Sequence, residues 1–325
     1  LIVATQGRAF WIIDDLTMVQ QADPSILAKN LHVFPVNNPY RMVADPFASF
    51  RPQPVNAGAN PPKGAVINFY AGKVTDSTKA SITILDKNGK TVKTFRTDGK
   101  EDKLEINPGM NRFIWNMKYP EAEKADGMIL WNGTPAGIVA PPGKYTARIK
   151  VGEDSADAPF EILADPNYST SQADYEAQFA FLQQVQGKFN EVQKGVKDIR
   201  STRTQINEFI GKQGKDCPKE VKDMADQINK QLTAIEEKLH QTKAKSGQDV
   251  LNYPIRLNDK LSGVFDMANS GNMAPSKQAK DVFADLAGQA DAELAKLKAI
   301  MDQEIPKFNQ LVREKSLPVI SVKKD

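Results

Sequence analysis

Cysteine and histidine are nearly absent from this sequence of 325 residues, which contains one Cys and two His. The single cysteine, Cys217, excludes an intramolecular disulfide, and two imidazoles are too few for a His-rich metal centre. The sequence also lacks a glycine loop for a nucleotide, a nucleophile elbow and a zinc-type ligand spacing. We therefore assign no catalytic residue, no metal ligand and no cofactor from the sequence.

A charge excess and long apolar runs are also lacking. The 43 basic residues are interspersed with 40 acidic ones, for a net charge of +3, and without a basic stripe we expect no nucleic-acid partner. No apolar run approaches the ~18 to 20 residues that a membrane helix needs, so we expect no membrane span. The 40% of hydrophobic residues is enough to bury cores for about two or three domains.

The chain begins with two apolar runs around a glycine-containing turn. Leu1–Thr5 turns near Gly7 and continues as Ala9–Asp14, a pattern that predicts a β-hairpin buried on both faces. A lone two-stranded hairpin is marginal in water, and no later part of the sequence is suited to complete its sheet. The chain also starts without an initiator Met. We therefore expect it to be the C-terminal part of a longer protein, with missing strands that pair with this hairpin.

Composition divides the next part of the chain. Residues 1–35 hold the hairpin and a short helical or irregular tail, and residues 36–63 are rich in Pro and Asn, as in a linker or an extended strap. Residues 64–165 contain short β-branched and aromatic runs separated by turns, including Asn88-Gly89, which is typical of a tight hairpin. About seven strands in about 100 residues predict an immunoglobulin-like β-sandwich. The runs are Ala65–Ala71, Ala80–Asp86, Thr91–Thr97, Asn111–Tyr119, Lys144–Gly152 and Pro159–Leu163.

Residues 166–315 switch to a heptad period and predict long helices. Ser171 and Asp174 form a capping-box pattern at the start, and the first helix extends for about 43 residues, or ~65 Å. The lengths favour an up-down-up antiparallel bundle of three helices, a slender rod whose middle helix is broken near Pro254; a four-helix arrangement is the alternative. Pro306 should kink the last helix. Residues 316–325 form a tail.

Several segments resemble one family of large bacterial proteins. ATQGRAFWIIDDLT (Ala4–Thr17) is similar to the closing motif ATHGRxFWILDDLT of β-propeller proteins with sortilin-type or bacterial-neuraminidase (BNR, YVTN-like) repeats, often labelled glycosyl hydrolases. The similarity extends over essentially the whole chain, through Asn60–Tyr70, Gly109–Pro120, Ala140–Gly152, Tyr253–Val264 and the P-S-x-Q pattern from Pro275.

The resemblance has three implications. Residues 1 to about 16 would be the last strands of a propeller blade, the rest of the propeller would lie upstream, and the protein would be secreted or in the periplasm or cell envelope of a bacterium. Gln6 stands where the family usually has His, so no functional site is carried over.

Three features are candidate sites, each with a structural alternative. Asp14-Asp15 could be a carboxylate pair for acid–base or calcium chemistry, but adjacent residues at a strand end more often cap a turn or helix. Cys217 lies between Lys215 and Lys219 at a helix start, which lowers a thiol pKa, but we expect a bystander in an exposed turn. Aromatic side chains could stack on sugars. Most lie on strand positions that a sandwich core needs, and Trp131, in the loop LWNGTPAG, is the best candidate for a ligand-binding residue.

These observations predict a non-catalytic C-terminal part of a propeller protein. It would close the propeller by pairing with the N-terminal propeller segment of the same protein, and act as a spacer and interaction module. In one alternative, it is the accessory region of a glycoside hydrolase or glycan-binding protein whose active site lies in that propeller. In another, the helical rod recruits a second envelope protein through an exposed stripe.

Overall fold

The computed structural model describes residues 1–13, 15–21, 23–42 and 60–318. Asp14, most of the predicted linker and the end of the predicted tail therefore lie outside the described residues. The chain folds into sheets followed by helices, which is the β-then-α class that the sequence predicts. It divides into two compact units: Leu1–Pro120 with Gly137–Phe179, and Glu121–Ala136 with Ala180–Asp325.

The first unit contains ten described strands and a short helix, α1 (Thr17–Gln21), followed by a 3-10 turn. The strands are β1 (Ile2–Ala4), β2 (Phe10–Ile12), β3 (Leu31–Val33), β4 (Tyr40–Arg41), β5 (Ala65–Ala71), β6 (Ala80–Leu85), β7 (Thr91–Arg96), β8 (Gly109–Trp115), β9 (Gly143–Val151) and β10 (Asp154–Ala164).

These strands form three sheets. Among the described strands, β1 pairs only with β2, a five-stranded sheet has the order β4-β10-β9-β6-β7, and a three-stranded sheet has the order β3-β5-β8. Segments that the sequence suggests to be a tail and a linker therefore supply strands, because β3 pairs with β5 and β4 pairs with β10. Neither strand is longer than three residues, which is too short for a period to be visible in the sequence.

The five- and three-stranded sheets share one hydrophobic core. The alternation predicted for β6 is confirmed, since Ala80, Ile82 and Ile84 are buried and the residues between them are not. The centre of this core is aromatic, with Trp115 packed against Tyr145 and Phe160 at ring distances of 5.8 and 6.2 Å. The tight turn at Asn88-Gly89 also forms, with a φ of +75° at Gly89.

The helices are α2 (Gln172–Gln213), α3 (Lys219–Leu239), α4 (Leu257–Ala268), α5 (Lys277–Ala299) and α6 (Ile305–Glu314). The predicted capping box of α2 is present, because the Asp174 N–H donates to Ser171 Oγ at 3.1 Å and Ser171 Oγ donates to the Asp174 carboxylate at 2.7 Å. The predicted heptad positions from Leu182 to Ile199 are buried.

Contacts within the second unit fix the helix directions. Arg200 on α2 pairs with Glu236 on α3, and later along α2 Asn207 is bonded to Asn229, which is earlier on α3, so α2 and α3 are antiparallel. Phe209 on α2 packs on Phe308 on α6, and nearer the start of α2 Lys188 pairs with Asp291 on α5, so α2 runs in the same direction as α5–α6. The directions alternate along the three long helical segments, as the sequence predicts.

The sequence predicts a kink at Pro306, and the structure has a π-helical turn, Ile300–Glu304, between α5 and α6. Proline has no N–H to donate to the carbonyl of Asp302, and its ring needs room beside that carbonyl. A wider turn gives the ring this room. Within the part of the chain that is described, none of the helices combines the length and the apolar character that a bilayer span requires.

Candidate functional site

The hairpin β1–β2 is the most unusual surface of the chain. Seven large apolar side chains on it are exposed, including Phe10 (74%) and Trp11 (64%). Opposite pairs alternate between the two faces, so Val3 and Trp11 lie on one face and Ile2 and Ile12 on the other. The hairpin thus has two apolar faces, as the sequence predicts, but no described residue buries them.

The hydrogen bonds of the hairpin identify its free edges. Leu1 and Ile13 exchange both backbone hydrogen bonds, at 2.8 and 2.9 Å. Because such pairs alternate along an antiparallel ladder, the N–H and C=O groups of the intervening pairs point away from the partner strand. The residues with outward-pointing groups, called the edge residues below, are Ile2, Ala4, Phe10 and Ile12.

The turn of this hairpin is built on two positive φ angles. Gly7 has φ +82° and Ala9 has φ +59°. Glycine adopts such values freely, whereas alanine does so at a cost of roughly 1–2 kcal/mol. The turn forms as the sequence predicts, with strain at Ala9.

The loop that contains Trp131 is held by one buried carboxylate. Asp259, in the first turn of α4 and 3% exposed, accepts hydrogen bonds from the backbone N–H groups of Trp131 at 2.8 Å and Asn132 at 3.1 Å. The Asn132 side chain also donates to Asp259, and Ser262 Oγ donates to the carbonyl of Gly133. Trp131 as a residue remains 53% exposed. The exposure predicted for Trp131 is therefore present, and its backbone is fixed.

A buried polar network continues behind this loop. Asn258 Oδ1 accepts the Asp259 N–H at 2.9 Å, which leaves the Asn258 Nδ2 to donate to His240 Nδ1 at 3.1 Å. His240 is 1% exposed, and burial, aided by the charge of Arg200, lowers its pKa to about 4. His240 is therefore neutral near pH 7, with Nδ1 as the acceptor.

A second contact with the 121–136 segment is made by Arg200, which Glu236 holds in place. Burial alone would raise the pKa of Glu236, but hydrogen bonds from Arg203 and Arg200 outweigh it and hold this pKa below its usual value. Arg200 Nε donates to Glu236 at 2.7 Å, and the same guanidinium donates to the carbonyl of Asp126. This ion cluster thus ties α2 and α3 to a loop that is distant in sequence.

The other predicted sites are explained by local structure. Asp14 lies outside the described residues, and Asp15 accepts the Thr17 N–H at 2.9 Å at the start of α1, as a capping residue does. The prediction that Cys217 lies in an exposed turn is wrong, because it is buried at the start of α3. The expectation that most aromatic residues serve the sheet core agrees with Trp115 and Tyr145, which pack together there.

The sequence reasoning missed Asp259, Asn258 and His240. Each has an ordinary explanation from the local sequence; Asp259, for example, is an acidic residue in the first turn of a helix. No local pattern predicts that Asp259 contacts Asn132, which is 127 residues away. Among the residues that the structure describes, no group of three or more His, Cys, Asp or Glu side chains could hold a metal ion. No protein-family model matches the chain, and neither does any curated protein.

Proposed function

We propose that this chain is the non-catalytic C-terminal part of a secreted or cell-envelope β-propeller protein. Its hairpin β1–β2 completes a sheet of the upstream propeller segment of the same protein. The observation that carries this proposal is a hairpin with two apolar, exposed faces and two edges with which no described strand pairs. An open edge of this kind is a template for further strands.

The energetics favour a partner for the hairpin. Burial of a large apolar side chain is worth about 1.5–3 kcal/mol, so covering seven of them is worth on the order of 10 kcal/mol before ordering costs. The strands of a propeller blade are covered on both faces by neighbouring blades, and closure leaves only short, protected edges. A propeller therefore satisfies both the faces and the edges of this hairpin.

The rest of the chain acts in this proposal as a spacer and interaction module. In this proposal the five- and three-stranded sheets, with their common core, have the role of the predicted immunoglobulin-like sandwich, and α2 to α6 have the role of the predicted antiparallel bundle. The buried ion cluster at Glu236 and the Asp259 contacts hold the 121–136 segment on the helices.

Intact mass and size-exclusion chromatography of the native-source protein, with and without denaturant, test the proposal. We expect either one longer polypeptide or this 35.9 kDa chain held to a larger fragment until denaturant separates the two. A stable, monodisperse particle of 35.9 kDa that forms without any other polypeptide would contradict the proposal.

A second candidate function, glycan binding as an accessory region of a glycoside hydrolase, is favoured by Trp131. Its backbone is held by Asp259 while the residue is 53% exposed, and an exposed aromatic side chain on a held backbone suits a sugar ring. Titration of the chain with soluble oligosaccharides should quench its tryptophan fluorescence, and Trp131→Ala should abolish this response. Trp11→Ala removes another exposed indole and is the control. Equal responses in wild type and Trp131→Ala would exclude this function.

A further inference from the structure

The outer faces of the two large sheets differ in polarity. Residues on the outer face of the five-stranded sheet are mostly polar or charged, among them Ser81, Thr83, Lys144, Arg148, Lys150, Asp157 and Glu161. This is the usual composition of a solvated face. On the three-stranded sheet, in contrast, β8 exposes Met110 (48%) and Ile114 (41%). Exposed apolar residues of this kind are unusual on a solvated sheet face.

The apolar residues of the three-stranded sheet form one patch. Tyr70 on β5 lies directly opposite Met110, and Val66 lies directly opposite Ile114. Directly opposite side chains in an antiparallel pair are in contact range. The Tyr70 hydroxyl also donates to the carbonyl of Leu27 at 3.4 Å, and Leu27 is itself 65% exposed. The patch therefore continues from β8 across β5 to the 3-10 turn.

An arginine lies in the middle of this patch. Arg112 is on β8 between Met110 and Ile114, and its Nε donates to Asn68 Oδ1 at 3.1 Å. This bond holds the Nε side of the guanidinium of Arg112, an exposed residue, and the other N–H groups of a guanidinium can bind a carboxylate. Arginine and methionine among aromatic and aliphatic neighbours are typical of the centre of a protein interface.

The chain leaves the hairpin close to the patch. Asn37 Nδ2 donates to Thr17 Oγ1 at 3.5 Å, and Phe34, three residues before Asn37, donates its N–H to the carbonyl of Asn68 at 3.0 Å. Asn68 is the residue that holds Arg112. Thr17, four residues after the described end of the hairpin, is therefore linked through the segment 34–37 to the centre of the patch.

The size of a stable interface supports a joint surface. Such an interface engages about 20–30 residues on each side, whereas the described hairpin, Leu1–Ile13, has only 13 residues. The outer face of the three-stranded sheet would supply the additional area if one partner covers both this face and the hairpin.

We propose that the outer face of the three-stranded sheet (Val66, Tyr70, Met110, Arg112 and Ile114) binds the same upstream β-structure that completes the hairpin. An acidic side chain of that structure faces Arg112. This inference rests on the proposed function, because it assigns a second contact surface to the same partner.

Oxidative footprinting with mass spectrometry tests the inference, since side-chain oxidation follows exposure. Met110 and Trp11 are compared between this chain alone and the native-source protein. Met267 and Met273, which are 73% and 63% exposed on the helical unit, are internal controls. We expect Met110 and Trp11 to be oxidised at least about fivefold more slowly in the native-source protein, with no change at the two controls.

The two proposals fail in different ways. Protection of Trp11 with unchanged oxidation of Met110 would overturn this inference and leave the hairpin function intact. No protection of either residue would overturn both. In the native-source protein, Arg112→Glu should restore oxidation of Met110, whereas Lys150→Glu, on the polar outer face, should not. Continued protection of Met110 in Arg112→Glu would refute the acidic contact.

Discussion

Removal of the Asp259 carboxylate should release the loop that presents Trp131. Asp259→Ala deletes the acceptor of two backbone N–H groups, on Trp131 and Asn132. A buried donor left without a partner costs about 1–3 kcal/mol. Since Trp131 is half exposed, water can reach part of the loop, and we expect a total loss near the low end of the sum, about 3 kcal/mol.

Amide hydrogen exchange measures this loss locally. A free-energy change of 1.4 kcal/mol is a tenfold change in an opening equilibrium, so about 3 kcal/mol should accelerate exchange at Trp131 and Asn132 roughly a hundredfold. Asp259→Asn keeps one oxygen acceptor but turns an NH₂ toward the second N–H. We expect an intermediate effect of roughly tenfold for this variant.

Asp266→Ala is the matched control, because Asp266 is an exposed acidic residue on the same helix. It should leave exchange at Trp131 unchanged. Equal exchange rates at Trp131 and Asn132 in wild type and Asp259→Ala would show that the carboxylate does not hold the loop.

Two further predictions concern the helical unit. The pKa of His240 is about 4 in the folded chain and about 6.5 when unfolded, so the unfolded state binds the proton first. The free energy of unfolding should be constant above about pH 6.5 and fall by up to about 3 kcal/mol as the pH decreases to about 4. Denaturant titrations at several pH values should show this fall, and an equal fall in His240→Gln would refute the role of His240. A Cβ at Gly195 would lie 2.7 Å from Leu294 Cδ2, whereas one at Gly187 on the same helix meets nothing within 4 Å. Gly195→Val should therefore lower the free energy of unfolding by about 1–3 kcal/mol, and Gly187→Ala should raise it by about 1 kcal/mol. A melting temperature of Gly195→Val equal to or above that of Gly187→Ala would contradict this packing.

The features that the sequence predicts correctly depend on neighbours in the chain. The heptad residues of α2 are buried because a helix repeats its faces every 3.6 residues, and β6 alternates because a strand repeats every two. The turn at Gly89 requires a positive φ that glycine adopts freely. Local geometry determines each of these features, so a single sequence is sufficient to predict them.

The features that the sequence does not predict depend on distant partners. Val33 and Tyr40 belong to strands of two or three residues that exist because β5 and β10 offer edges. The Trp131 loop is fixed by Asp259, far along the chain. Cys217 is buried although its flanking lysines suggest an exposed turn. Tertiary packing determines the structure at these positions, and no local sequence pattern predicts it.

Amide exchange at the edge residues of the hairpin is the most direct test of the central claim. In this chain alone the edge residues on β1 and β2 should exchange at nearly the rate of free amides, because no strand in the described part of the chain pairs with their N–H groups. In the native-source protein the account predicts strong protection of the edge residues of at least one of the two strands. Equally fast exchange at all of the edge residues in both samples would contradict the claim that this hairpin completes a larger sheet.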